Sequence, residues 1–420
     1  MAQIRRQPRK HRSIWLILFK IFGVLLIPLV LIAFEIRPTA DRSFQIKQTN
    51  KQIPSITESA DLNAQAFILT DSQTGQIIYE KNIQQSLPIA SISKIIPVYL
   101  IYQALKEGKI KLTDQVKIRP EIADLSTVSG LSNVKLNANS TYSVEDLLYA
   151  TLLSSANAGV MALSEHLAPL DQINQAEQDF LKSLKIEDFL IVNVNGLPND
   201  MLGSLRNPGT AVDADNKMSA SAVSQVAAKL VTDFPAVLDV SKNSTYKFKA
   251  GTAEAQDLKS TNQLLPGGNF ADPKLEVVGL KTGTNDDGYS FVATLKKDQR
   301  LMTAVILNAP SDQARFGQTR DFLRRFQQNY HLITINSDTN PNVKKAANLF
   351  KNQYDLKSVE SKDLTLWVPN EVKAEDFHFK LEFDRAYFQQ TKKPGLTLTL
   401  DLPENSAKFM TDSPLVLNLR

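Results

Sequence analysis

Two β-prone apolar runs joined by a short polar turn stand just ahead of a helical pattern, and that order constrains the fold more than any other feature of the chain. The segment from Ala64 to Asn82, AQAFILTDSQTGQIIYEKN, reads as a strand, a turn centred on Ser72-Gln73-Thr74-Gly75, and a second strand over residues 76–79. Apolar runs around such a turn form a hairpin. A short loop then leads through Pro88-Ile89-Ala90-Ser91-Ile92-Ser93-Lys94 into a helical run over residues 95–105. Ser91 falls at a strand-to-helix junction, and Lys94 is three residues on, within reach on the same helical face. A serine hydroxyl is a weak nucleophile until a base takes its proton. A lysine can be that base if desolvation or a second cation lowers its pKa. The start of a helix adds positive dipole and free N–H groups, which suit a developing oxyanion. Alone, Ser-x-x-Lys is better read as the capped start of an amphipathic helix, and it takes two later stretches to reverse that balance. Pro97 complicates the helix: in a second turn it would cost on the order of 3 kcal/mol. Either the helix is kinked there or its first turn is irregular.

Composition narrows the remaining choices. The 420 residues suffice for about two to three domains, and 43% hydrophobic with 22% charged residues is an ordinary globular balance. With no cysteine, disulfide staples, thiolate metal sites and cysteine nucleophiles are excluded, so any exported domain must be held by its buried core. His11, His166, His331 and His378 are scattered without ligand spacing, so no metal site is expected. Residues 1–34 hold Arg5, Arg6, Arg9, Lys10, Arg12 and Lys20 and no acid, a charge of +6 against +4 for the whole chain, which leaves −2 for the rest. The basic balance reports topology, and no nucleic-acid partner is expected.

Residues 1–12 form a basic arm, and residues 13–34, SIWLILFKIFGVLLIPLVLIAF, are long and apolar enough to cross a bilayer. The cationic flank should stay inside and send the rest of the chain out. An uncleaved anchor is the expectation; a signal peptide is the alternative, although Pro38-Thr39-Ala40 is the only weak candidate for a cleavage site. Both readings export the protein. Residues 35–60 read as a polar linker.

Further along, helical patterns over residues 144–153 and 160–167 flank Ser154-Ser155-Ala156-Asn157-Ala158-Gly159. This stretch is an interhelix turn or a Ser-x-Asn loop, with a hydroxyl to relay protons and an amide to hold a carbonyl. Val192-Asn193-Val194-Asn195-Gly196-Leu197-Pro198 is an Asn/Gly turn with a structural role first, and residues 217–240 form another amphipathic helical pattern. Residues 275–284 read as a strand carrying Lys281-Thr282-Gly283, followed by a turn at Asn285-Asp286-Asp287-Gly288 and a return strand over 289–295. On an edge strand, Lys-Thr-Gly offers a positive charge, a hydroxyl and a place where a substrate backbone can approach closely. A strand over 300–308 and a basic amphipathic helix over 315–330 follow. From about Ser358 short alternating runs such as LTLWV, FHFKLEF and LTLTLDL suggest a small β-sandwich.

Ser-x-x-Lys, Ser-x-Asn and Lys-Thr-Gly, in that order and in those contexts, resemble the signature set of serine β-lactamases and penicillin-binding proteins. TDSQTGQIIYEKN, LPIASISK and GLKTGTNDDGYSFVAT look like the low-molecular-mass D-alanyl-D-alanine carboxypeptidases, peptidase family S11, over roughly residues 61–330. The resemblance implies an α/β (α+β) serine β-lactamase/DD-peptidase-like fold: an antiparallel sheet flanked by helices, a helical subdomain, and a small C-terminal β-sandwich domain. The expected domains are 61–332 and 335–420. It implies removal of the terminal D-alanine from peptidoglycan stem pentapeptides through a Ser91 acyl-enzyme, without a cofactor, and acylation by β-lactams. By residue, Ser91 would be the nucleophile and Lys94 its base. Ser155 would relay a proton to the leaving D-alanine, and Asn157 would hold the substrate amide. Lys281, Thr282 and Gly283 would line the substrate's carboxylate end. N–H groups of Ser91 and Thr284 would form the oxyanion hole, and Arg315 would bind carboxylate. The sequence departs from the family at Ser93, where threonine is usual, at Pro97, and at the end, where SPLVLNLR reads as a strand instead of an amphipathic helix. The N-terminal segment could then be the membrane partner. A transpeptidase, a β-lactamase and a non-catalytic wall-binding protein are the alternatives. The β-lactamase would need a Glu-x-x-x-Asn loop between Asn157 and Lys281, and none is convincing.

Overall fold

The computed structural model describes residues 62–360, 363–400, 408–410 and 416–419. The basic arm, the apolar run and the linker expected over residues 1–60 lie outside the described residues. The hairpin forms as expected, with β1 at Ala66–Asp71 and β2 at Gln76–Lys81. Three more strands meander together: β3 at Glu276–Asn285, β4 at Gly288–Lys297 and β5 at Arg300–Ala309. They assemble in the antiparallel order β3-β4-β5-β1-β2, extended beyond β2 by a two-residue strand, Lys408–Phe409. β3, which carries Lys-Thr-Gly, is therefore an edge strand.

β1 shows no polar alternation because both of its faces are buried. Ala66 and Ile68 pack into the core beneath the helices on one face, with Val292, Val305 and Leu307. Phe67 and Leu69 pack into the other core, with Phe291, Ile306 and Phe316. α1 (Ile95–Lys106), α2 (Val144–Leu152), α3 (Asn157–Leu167) and α4 (Ala220–Asp233) share the core on the first face, where α4 lies directly on β1 and β5; the second is covered by α5 (Asp312–Asn329). This is an α+β architecture with a helical subdomain.

A further hydrophobic core gathers after α5. Tyr330–Ile335 pairs with Leu364–Pro369, and Phe379–Phe383, Leu396–Leu400 and Val416–Leu419 form a three-stranded antiparallel sheet. Both sheets contribute to that core, as a sandwich requires, but so does a helix over Pro341–Gln353 that the alternating runs do not announce.

The start of α1 accounts for Pro97. Residues Ala90–Lys94 form a 3-10 turn, and the α-helix begins only at Ile95. Pro97 is thus the third helical residue, ahead of the first i→i−4 bond, so its missing N–H breaks no α-helical bond. The irregular first turn is the alternative that the fold adopts.

Candidate active site

Ser91 sits in the 3-10 turn, half-buried, while Lys94 one turn later is fully buried. Lys94 Nζ lies 2.7 Å from Ser91 Oγ, 2.7 Å from Asn157 Oδ1 and 2.6 Å from the main-chain oxygen of Asn195. Burial holds the Lys94 amine well below the ordinary lysine pKa, and the neighbouring charge of Lys281 lowers it further. A neutral amine has two N–H bonds and one lone pair. If the oxygens of Asn157 and Asn195 take the two N–H bonds, the lone pair is left facing Ser91 Oγ.

Asn157 is not in the interhelix loop but opens α3, which begins three residues earlier than the 160–167 pattern predicted. The difference arises because the cap comes from elsewhere in the chain. Asn157 N–H donates to Ser132 O, and Ala158 N–H donates to Asn133 Oδ1. Asn157 Nδ2 also donates to Ser132 O at 3.0 Å, which fixes the amide with its oxygen on Lys94. Ser155 stays in the turn with φ 59°, the left-handed region that a serine rarely occupies.

That conformation brings Ser155 Oγ within 2.7 Å of Lys281 Nζ on the edge strand. Lys281 is buried too, and also donates to Thr282 O at 2.7 Å. Burial, helped by the charge of Arg315, lowers its pKa to about 7. The site thus holds two serine–lysine pairs, and the charge of Lys281 bears on Lys94. Thr282 Oγ1 pairs with Thr261 Oγ1 at 2.7 Å, while Thr284 is exposed. A side chain at Gly283 would place Cβ 2.8 Å from Ile89 O, so glycine permits the strand to approach the turn that carries Ser91.

Arg315 lies in the first turn of α5, which begins at Asp312, earlier than the 315–330 pattern predicted. Its Nη1 donates to Gly283 O at 2.7 Å, Thr284 Oγ1 at 3.0 Å and Ser290 O at 3.2 Å, and Nη2 pairs with Asp312. The guanidinium is directed onto the backbone of the Lys-Thr-Gly strand. All nine candidate residues therefore line one region. Sequence reasoning missed Asn195, whose contribution is a main-chain oxygen. A backbone carbonyl leaves no side-chain signature, and Asn193-x-Asn195-Gly196 read simply as a turn.

The model for the peptidase S11 family, D-alanyl-D-alanine carboxypeptidase, matches residues 51–311. The chain belongs to that family. It is 28% identical over 295 residues to D-alanyl-D-alanine carboxypeptidase DacC of Escherichia coli, a match covering 69% of this chain and 65% of that one. The match thus spans just under two thirds of that relative's length. The fold superposes on a peptidoglycan synthesis regulatory factor (PBP3) from Streptococcus pneumoniae with a TM-score of 0.68 and 29% identity, covering 85% of this chain and 98% of that one. Penicillin-Binding Protein D2 from Listeria monocytogenes, in its ampicillin-bound form, shares the fold at TM-score 0.53 and 23% identity, covering 63% of this chain and 98% of that one.

Proposed function

We propose that the protein is a serine-type D-alanyl-D-alanine carboxypeptidase acting on peptidoglycan stem pentapeptides. The observation that carries this reading is the buried Lys94 amine, 2.7 Å from Ser91 Oγ and held on its other sides by Asn157 and Asn195. Ser91 Oγ attacks the carbonyl carbon between the two D-alanines as its proton passes to Lys94. The oxyanion is taken by the N–H groups of Ser91 and Thr284. The C–N bond breaks, the departing amine gains a proton through Ser155 and Lys281, and D-alanine leaves. Water then cleaves the ester, and Ser91 recovers its proton. Thr282, Gly283 and Thr284 present the edge strand to the substrate's carboxyl end, with Arg315 holding that strand from behind.

A β-lactam carries an acylating carbonyl of the same kind, so penicillins should acylate Ser91. The structural neighbour from Listeria monocytogenes, described with ampicillin bound, supports that partner. The substrate is an extracytoplasmic polymer, which agrees with the export read from the basic arm and apolar run; membrane anchoring through residues 13–34 belongs to the same proposal. Residues 61–332 are taken as the catalytic domain and 335–420 as a C-terminal domain, supported by the separate core after α5.

The test is release of D-alanine from a stem pentapeptide, followed beside cross-link formation with an amine acceptor. Wild type should release D-alanine, and Ser91→Ala should reduce release by at least about 10³-fold, the scale of losing a nucleophile. Cross-linking without release would identify a transpeptidase, and release by Ser91→Ala at the wild-type rate would remove the reading.

A further inference from the structure

The Asn195 carbonyl is held against Lys94 by an asparagine outside the three motifs. Asn216, fully buried, accepts from Val192 N–H at 2.8 Å and Asn193 N–H at 3.3 Å through Oδ1, and its Nδ2 donates to Asn193 O at 2.7 Å. One side chain thus grips the backbone of the loop just before Asn195. The main-chain oxygen of the same residue accepts from Ile89 N–H at 3.0 Å, two residues before Ser91. Asn216 therefore ties together the loop that supplies the acceptor and the segment that supplies the nucleophile. The close approach is confirmed at Gly196, where φ is +74° and an added Cβ would lie 2.0 Å from Ala90 O. Within the loop, Asn193 Oδ1 accepts from Gly196 N–H at 2.8 Å, and Asn193 Nδ2 donates to Leu197 O and Asn199 Oδ1. The Asn195 carbonyl has little freedom to leave Lys94.

We propose that Asn216 is a positioning residue for acylation: through the 192–196 loop it keeps the Asn195 carbonyl on one N–H of Lys94, so that the amine's lone pair points at Ser91 Oγ. The inference rests on the assignment of Ser91 and Lys94 above. When the clamp is lost, the carbonyl drifts, the lone pair is no longer aimed, and the acylation rate falls. The same loss removes an acceptor from the ammonium form, so the pKa of Lys94 moves down. The charged group that bears on Lys94 among the described residues is Lys281, from β3, and the substitution leaves it in place.

Asn216→Ala and the milder Asn216→Ser would be compared with wild type in stopped-flow acylation by a chromogenic penicillin across pH, with circular dichroism and a thermal melt as checks on folding. The expected result is a plateau acylation rate lower by about 10- to 10²-fold, the cost of misplacing a reacting group by an ångström or so. The non-covalent dissociation constant for the penicillin should change little, and the midpoint of the acid limb should move to lower pH. A purely structural lesion would lower the amount of active enzyme without moving that midpoint. A folded variant with the wild-type rate and midpoint, or with loss confined to the active fraction, would overturn the proposal. Failure of wild type to acylate at all would instead overturn the assignment of Ser91 and Lys94.

Discussion

At the scale of single residues, two amines are kept short of protons. Lys281 has its pKa lowered to about 7 from 10.5 by burial and Arg315, and Lys94 is lowered as well. A neutral Lys94 is what lets it accept the serine proton, so acylation should rise with pH and level off well below the range where an exposed lysine loses its proton. A stability signature follows from the same shift. Between the folded and unfolded pKa values of Lys281 the unfolded chain binds more protons, so stability contributed at this position rises with pH across that window. Wild type should therefore gain on Lys281→Met by up to about 1.4 kcal/mol per pH unit between pH 7 and 10. Urea denaturation of both proteins at several pH values measures the difference. A gap that does not change with pH would mean that Lys281 stays protonated in the fold.

At the scale of elements, the site is a meeting of four short pieces: the 3-10 turn Ala90–Lys94, the turn before α3, the 192–196 loop and the edge strand β3. Replacing Gly283 by alanine sets a Cβ 2.8 Å from Ile89 O and 3.3 Å from Ile92 N, forcing the strand off the turn. Gly283→Ala should fold yet acylate about 10-fold or more slowly, since a displaced element carries its reacting groups with it; penicillin-labelling rates test this. Pro97→Ala should change stability by less than about 1 kcal/mol, not the roughly 3 kcal/mol of an interior proline, because Pro97 stands ahead of the first i→i−4 bond of the helix. Urea denaturation distinguishes the two. The elements visible in the sequence are those whose information is local. The apolar runs of β1 and β2 and the turn at Asp286-Asp287 carry their own signals. The head of α3 was misplaced because its cap comes from Ser132 and Asn133, about 25 positions away. Asn195 went unseen because its role belongs to a carbonyl, and the Pro341–Gln353 helix because the reading of the C-terminal part rested on alternating runs that begin only beyond it.

At the scale of the whole molecule, the catalytic sheet and the C-terminal sheets are bolted together at Trp367. Its indole N–H donates to the buried Asp71 carboxylate at 2.8 Å, and its backbone exchanges two hydrogen bonds with the Gln76 side chain. Its ring meets Phe326 edge-on. Trp367→Ala should cost about 3–5 kcal/mol, the range for emptying a large aromatic site, read as a lowered thermal midpoint. Labelling of the remaining folded protein at Ser91 should be unchanged, because none of these contacts reaches Lys94. The account as a whole depends on a single acylable hydroxyl. After incubation with benzylpenicillin, intact-protein mass spectrometry should find one adduct per chain, peptide mapping should place it on Ser91, and Ser91→Ala should carry none. An adduct on another residue, or equal labelling of Ser91→Ala, would contradict it.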